Sequence, residues 1–255
     1  LTPLEVALLA GAGLSGGAVN AIAGGATFFT FPAMLAVGLP PVVANASNTV
    51  ALWPASCAAA LTDRKALWAE RGMAAPFVAI GLVGGFAGAL LLLVTSNEAF
   101  RVAIPFLLLL ATATFAGSGP LLRWLRAHRP AAAAPPRPRH PAILGLIGFC
   151  AIYGGYFGAG IGIMMMAGLT LAGVSPLHLA NATKNLLAAT INGVAVAVFV
   201  ASGIVAWPAT LVMLAGAVAG GFLGARLAGR IPAPALRAVV VAIGTMLTAW
   251  YFWRL

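Results

Sequence analysis

Acidic residues are scarce in this sequence: 4 Asp and Glu together against 14 Lys and Arg. The four acids, Glu5, Asp63, Glu70 and Glu98, all stand near the ends of apolar stretches, and none lies in the middle of one. That excludes a paired-carboxylate hydrolase and a carboxylate proton relay, the usual proton route through a membrane carrier. Histidine and cysteine are also rare, at 3 and 2. There is no H-E-x-x-H, no Walker loop and no cysteine cluster. Ser15 and Ser118 sit beside glycines, but neither lies in a nucleophile elbow. An enzyme is therefore not expected, and neither a cofactor nor a metal site is expected. Cys57 and Cys150 both fall in apolar segments and are expected as buried thiols rather than a disulfide. Charge of either sign makes up only 7% of the chain, against about 25% in ordinary soluble domains. So few charges cannot cover the surface of a soluble protein of this size. The net charge of +10 does not point to nucleic acid, because arginines beside membrane segments follow the positive-inside bias.

What is present is apolar residue in long runs: 62% of the chain is hydrophobic. A bilayer crossing needs about 20 such residues, and stretches such as "PFVAIGLVGGFAGALLLLVTS" (76–96) and "ALRAVVVAIGTMLTAWYFW" (235–253) supply them. The runs are continuous, not alternating, which excludes a β-barrel. The expected class is an all-α polytopic membrane protein. One stretch interrupts the pattern, "RWLRAHRPAAAAPPRPRH" at 123–140. Its arginine and proline content predicts a flexible cytoplasmic linker between a first membrane repeat, 1–122, and a second, 141–255.

The two halves are related. A shift of 136 lays "PPVVANASNT" (40–49) on "PLHLANATKN" (176–185) and "GGFAGA" (84–89) on "GGFLGA" (220–225) without a gap. The glycine pairs Gly16-Gly17 and Gly154-Gly155 match at a shift of 138. Charge predicts how the repeats are oriented. The loop 63–71 carries Arg64, Lys65 and Arg71, and its equivalent 199–207 carries no charge. The next loop reverses this: Arg226, Arg230 and Arg237 in the second half face only Arg101 in the first. Basic loops lie in the cytoplasm, so equivalent loops lie on opposite sides. That is the mark of an inverted repeat, with both termini extracytoplasmic.

Five hydrophobic segments are expected per half: 4–22, 25–38, 41–61, 72–95 and 99–122, then 142–158, 161–174, 176–199, 208–227 and 235–253. The second of each half is too short to span comfortably, which predicts a re-entrant or half-depth helix. Whether it forms a hairpin with the first stays open.

Interrupted segments in an inverted repeat point to a transporter with its site near the middle of the bilayer. Three features mark that site. The first is the pair of glycine clusters, "GGAVNAIAGGA" (16–26) and "GGYFGAGIG" (154–162), where backbone N–H groups at a helix start suit an anion. Close helix packing is the plainer role for any single glycine. The second is the asparagine-rich pair "ANASNTV" (44–50) and "ANATKNL" (180–186), preceded by Pro40 and Pro176, which suit first helical positions. Asn181, Asn185, Ala188 and Asn192 then share a face, as do Asn45, Asn48 or Thr49, and Ser56. Interhelical hydrogen bonding is the alternative role. The third is Lys184, which aligns with neutral Asn48. An intramembrane ammonium with no acid in reach calls for a bound anion, unless it snorkels to the interface. Any sodium site would have to use neutral carbonyl and amide oxygens. Met164, Met165 and Met166 point around their helix, as packing residues do.

The glycine-rich segments followed by "GLPPVVANASN" (38–48) and by "GGYFGAGIGIMMMAGLTLAGVSPLHLANATKNLL" (154–187) resemble the two motifs of the TauE/SafE sulfite exporter family. The resemblance covers nearly the whole chain. It implies an inner-membrane permease moving sulfite, an organosulfonate or a related sulfur oxyanion by alternating access. Carried over by position, it places the site at Gly24, Gly25, Asn45, Ser47 and Asn48, with Gly160, Gly162, Asn181, Thr183, Lys184 and Asn185. The expected partners are a small anionic substrate and the lipid bilayer; a homodimer is allowed and nucleic acid is not expected. Two other readings stay open: a metal-cation exporter, and a membrane scaffold subunit that transports nothing.

Overall fold

The computed structural model describes residues 1–22, 24–62, 64–127, 140–227 and 233–254. They are helical throughout and contain no strand. The helices are α1 (Pro3–Ile22), α2 (Thr27–Ala36), α3 (Pro41–Thr62), α4 (Arg64–Ala69), α5 (Arg71–Val94), α6 (Asn97–Ala127), α7 (Pro141–Tyr156), α8 (Ile161–Leu171), α9 (Leu177–Ala201), α10 (Trp207–Leu227) and α11 (Ala233–Trp253). Six of them, α1, α5, α6, α9, α10 and α11, contain stretches long and apolar enough to cross a bilayer. The chain is an all-α, multi-pass membrane protein.

Local chemistry sets several of the ends. α1 opens with a capping box: the Thr2 N–H donates to Glu5 Oε2 at 2.8 Å and the Glu5 N–H to Thr2 Oγ1 at 3.3 Å. The prolines expected at first helical positions stand one residue earlier, as caps. The Pro40 carbonyl accepts the Ala44 N–H at 2.8 Å, and the Pro176 carbonyl accepts the Ala180 N–H at 3.2 Å. A proline is well suited there, because its carbonyl can still open the helix although it has no N–H to give. α6 runs to Ala127, past the expected start of the linker at 123. Arg, Trp, Leu and Ala are all tolerated in helices, and the prolines begin only at Pro130. The remainder of the expected linker, 128–139, lies outside the described residues. The short helix α4 was read from sequence as part of a loop; it buries Leu67 and leaves Trp68 72% exposed.

α2 and α8 are the two short second segments, 10 and 11 residues long. At about 1.5 Å per residue each covers roughly half of a hydrocarbon core. Both fold back on the helix before them. A methyl added to Gly16 on α1 would meet Ala26 and Thr30, at the start of α2. A methyl on Gly154 would meet Ile161, and one on Gly168 would meet Ile147. Residues late in the first arm face residues early in the second, so α1–α2 and α7–α8 are hairpins. The question left open by the sequence is answered by these contacts.

Contacts between the halves come in matched pairs. α1 packs on α10, and α7 on α5; α5 packs on α9, and α10 on α3; α8 packs on α6, and α2 on α11. α3 crosses α9, and α6 crosses α11, so those equivalents meet each other. At the α3–α9 crossing the Trp53 indole N–H donates to the Ala189 carbonyl at 3.0 Å, and the two residues are 136 apart, the repeat shift itself. Small residues permit the closest crossings. Gly13 and Gly17 face Met213 and Ala217, while Gly216, Gly220 and Gly224 face Ala10, Leu14 and Ala18. The numbers rise together, so α1 and α10 run parallel. Gly84 faces Gly148 and Ala151, and Gly88 faces Ile152 and Tyr156, so α5 and α7 also run parallel.

Candidate substrate site

The asparagine stretch of α3 is sealed. Asn45 and Ser47 are 0% exposed and Asn48 is 2%. The Asn45 Nδ2 donates to the Tyr156 carbonyl at 2.8 Å, which ties α3 to the last residue of α7 where that helix breaks. Ser47 Oγ accepts the Ala206 N–H at 2.9 Å, satisfying a backbone donor just ahead of α10. The Asn97 side-chain oxygen accepts the Val42 N–H at 3.0 Å and fastens the start of α3 to the start of α6. Two acceptors are left over: among the described residues the side-chain oxygens of Asn45 and Asn48 are buried and have no hydrogen-bond partner.

The matching stretch of α9 is more open. Asn181, Lys184, Asn185 and Asn192 are half-buried. Among the described residues the side chains of the three asparagines make no hydrogen bond. Thr183 is fully buried, and its hydroxyl donates to the Leu179 carbonyl one turn back. Lys184 lies against the start of α8: its Cδ is 3.7 Å from the place a methyl on Gly162 would take. His178 is exposed at the head of α9.

The breaks themselves require glycine. Gly160, which caps α8, has φ +77°, and Gly25, just before α2, has φ +95°. Both are left-handed, where an added side chain is strained. A methyl on Gly25 would also press Phe115 at 3.0 Å and Val240 at 3.1 Å, and Gly160 packs on Ala111. Gly24, Gly25 and Gly160 therefore sit against α6 and α11, while Gly162 sits beside Lys184.

An aromatic cluster absent from the sequence reading closes around the second break. Phe157 stacks edge-on with Phe31 at 5.5 Å, Phe100 at 6.3 Å and Tyr153 at 6.3 Å, and Phe100 with Tyr156 at 5.5 Å. The Tyr153 hydroxyl donates to the Leu107 carbonyl at 3.3 Å. The signal was there: two of the chain's 3 tyrosines flank this break. At the 138-residue shift their equivalents in the first half are Ser15 and Ala18, and that of Phe157 is Val19, so these rings are not repeated; beside the first break Phe28 and Phe115 pair edge-on at 5.6 Å. Of the two cysteines, both free as expected, Cys150 is buried, but Cys57 is only half-buried. Among the described residues no three His, Cys, Asp or Glu side chains group together as metal ligands.

Two broken-helix hairpins, each packed into the opposite half and bordered by a polar stretch, define the class: this is a membrane transporter, not an enzyme. The family follows from the sequence match. Residues 9–251 match the model of the sulfite exporter TauE/SafE family, and the chain belongs to that family. It is similar to a probable membrane transporter protein of Haemophilus influenzae, with 29% identity over 91% of this chain and 88% of that one. It is similar also to the probable membrane transporter protein ORF9 of a Sinorhizobium species, with 31% identity over 91% and 88% of the two chains. A third relative is the probable membrane transporter protein YfcA of Escherichia coli K12, with 28% identity over 98% of this chain and 90% of that one. No solved structure matches the chain significantly.

Proposed function

We propose that this transporter is a permease for a small sulfur-containing oxyanion, such as sulfite or an organosulfonate, working by alternating access between two inverted halves in the inner (plasma) membrane. The contact registers support the inversion. α2 ends where α3 begins, and the Val42–Asn97 bond puts that point beside the end of α5. α1, being the outward arm of the α1–α2 hairpin, therefore runs opposite to α5. Since α10 parallels α1 and α7 parallels α5, each helix of the second half runs against its equivalent. The positive-inside bias then gives the orientation: Arg64, Arg71 and Arg226 share one face, which we assign to the cytoplasm, with both termini opposite.

The observation that carries the substrate class is Lys184 beside Gly162 at the start of α8. There the Lys184 side chain lies against the first turn of α8, the positive end of that helix's dipole. Three half-buried asparagines on α9, Asn181, Asn185 and Asn192, offer donors to further oxygens, as an oxyanion stripped of water requires. In proteoliposomes, sulfite, sulfate, thiosulfate, sulfoacetate and taurine are to be compared by flux. Transport of at least one sulfur oxyanion that is lost in Lys184→Ala supports the reading. Equal flux in the variant removes Lys184 from the mechanism, and no flux of any of the five removes the substrate class.

A further inference from the structure

The sealed half of the site holds two oxygens that the anion reading does not use. Asn45 Oδ1 and Asn48 Oδ1 are buried acceptors with no donor among the described residues. They stand three residues apart, on one face of α3. The amide of Asn45 is not free to reverse, because its Nδ2 is committed to the Tyr156 carbonyl at 2.8 Å; the orphan atom is therefore the oxygen. A buried acceptor without a donor is costly, and a native protein keeps few of them. Tyr156 is the last residue of α7, where the helix dipole presents its negative end. The local field and the Asn45 oxygen, whose orientation its hydrogen bond fixes, favour the same kind of guest, a positive charge.

The repeat supplies a second, independent argument. Position 48 in the first half corresponds to position 184 in the second, and Asn45 to Asn181. Where the second half carries an ammonium on its own side chain, the first half offers an amide oxygen. We propose that Asn45 and Asn48, at the carboxyl end of α7, bind one monovalent cation of sodium's size as the counterpart of Lys184. The inference rests on the transporter reading above and names the ion that accompanies the anion. Neutral amide and carbonyl oxygens suit a monovalent ion; divalent ions are normally held by carboxylates, and the acids among the described residues, Glu5, Glu70 and Glu98, all lie at helix ends. The third orphan oxygen, Thr112 Oγ1, lies on α6 against Gly244 and is no part of the site.

The test uses the purified full chain and sodium itself. Unfolding midpoints are measured in NaCl, KCl and choline chloride at equal ionic strength, with 22Na⁺ binding alongside. The expected result is a saturable rise in midpoint with Na⁺ that choline does not give. In Asn48→Ala the half-saturating Na⁺ concentration should rise by about tenfold or more, the loss of one ligand of this kind. Identical midpoints in the three salts overturn the proposal, as does an unchanged Na⁺ response in Asn48→Ala. Should that variant fail to fold, the three-salt comparison on the native chain decides alone. Sulfite flux keeps the two readings apart. Flux in choline medium equal to that in sodium overturns the cation's part while leaving the permease. Absence of flux in both media overturns the permease, and the midpoints then judge the cation site separately.

Discussion

Asn45 and Asn181 are equivalents in the repeat, yet they lead different lives. The first is fully buried and spans to the broken end of α7. The second is half-buried and makes no hydrogen bond among the described residues. Ser47 caps a segment of the other half, whereas its equivalent Thr183 bonds only within its own helix. The aromatic lining differs as well: Tyr153, Tyr156 and Phe157 gather with Phe31 and Phe100 at the second break, while Phe28 and Phe115 pair edge-on beside the first. The helix frame is symmetric and the lining is not. The α3 stretch is tied to the other half by two hydrogen bonds, from Asn45 to Tyr156 and from Ala206 to Ser47, whereas on α9 Asn181, Asn185 and Asn192 are half-buried.

The frame is the place to expect the largest effect. Gly88 and Gly224 are equivalents, and a methyl on either would fall on backbone, of Ile152 and Tyr156 in one case and Ala18 in the other. Helices cannot yield there without separating. Gly88→Ala and Gly224→Ala should each cost about 1–3 kcal/mol or more and lower the recovery of monodisperse protein in detergent. If one variant is tolerated and the other is not, the frame is less symmetric than its contacts indicate.

Next comes the lining. Lys184→Ala should reduce oxyanion flux by roughly 10-fold to 100-fold, since a hydrogen bond to a charged group contributes about 1.5–3 kcal/mol. The unfolding midpoint should change little, because holding an ammonium in an apolar segment is itself costly and offsets the contact that its removal loses. Asn45→Ala should do the opposite. It strips the Tyr156 carbonyl of its donor, a loss of about 1–3 kcal/mol, and the midpoint should fall. Asn181→Ala should leave the midpoint nearly in place and reduce flux. Equal midpoints for the two alanine variants would erase the contrast drawn between the halves. Ser47→Ala, which deprives the Ala206 N–H of its acceptor, should cost about 1 kcal/mol.

Much of this was readable beforehand for physical reasons. Apolar run length fixes where helices lie, and each expected segment except the extended end of α6 agrees with its helix to within a few residues. The shift of 136 was visible because equivalent helices keep the same glycines for the same close crossings. Lys184 and Gly162 were each legible as candidates for one site, but nothing in the sequence paired them. Burial was not legible: nothing in "ANASNT" and "ANATKN" says that one is buried and the other half-buried, since that depends on which helices pack over each stretch. The aromatic cluster left only a partial sign, the two tyrosines beside the second break, because Phe31, Phe100 and Phe157 are far apart in sequence and each passes for an ordinary core residue.

The smallest expected effect gives the finest comparison. Gly85 and Gly221 occupy the same place in "GGFAGA" and "GGFLGA", one residue after glycines that both face a parallel partner helix. Sequence gives no reason to separate them. In the structure a methyl on Gly85 would meet the Ile191 carbonyl oxygen at 2.9 Å, because α5 is wedged between α7 and α9. A methyl on Gly221 would have nothing within 4 Å. Alanine also gains about 0.8–1.0 kcal/mol over glycine inside a helix. Gly221→Ala should therefore leave the unfolding midpoint unchanged or raise it slightly, and leave flux intact, while Gly85→Ala lowers the midpoint despite the same propensity gain. The sign of that difference, measured on two chemically identical substitutions, reports whether α9 presses on α5 more tightly than α3 presses on α10. A reversed sign would make the α3–α10 crossing, not the α5–α9 crossing, the tighter of the two equivalents.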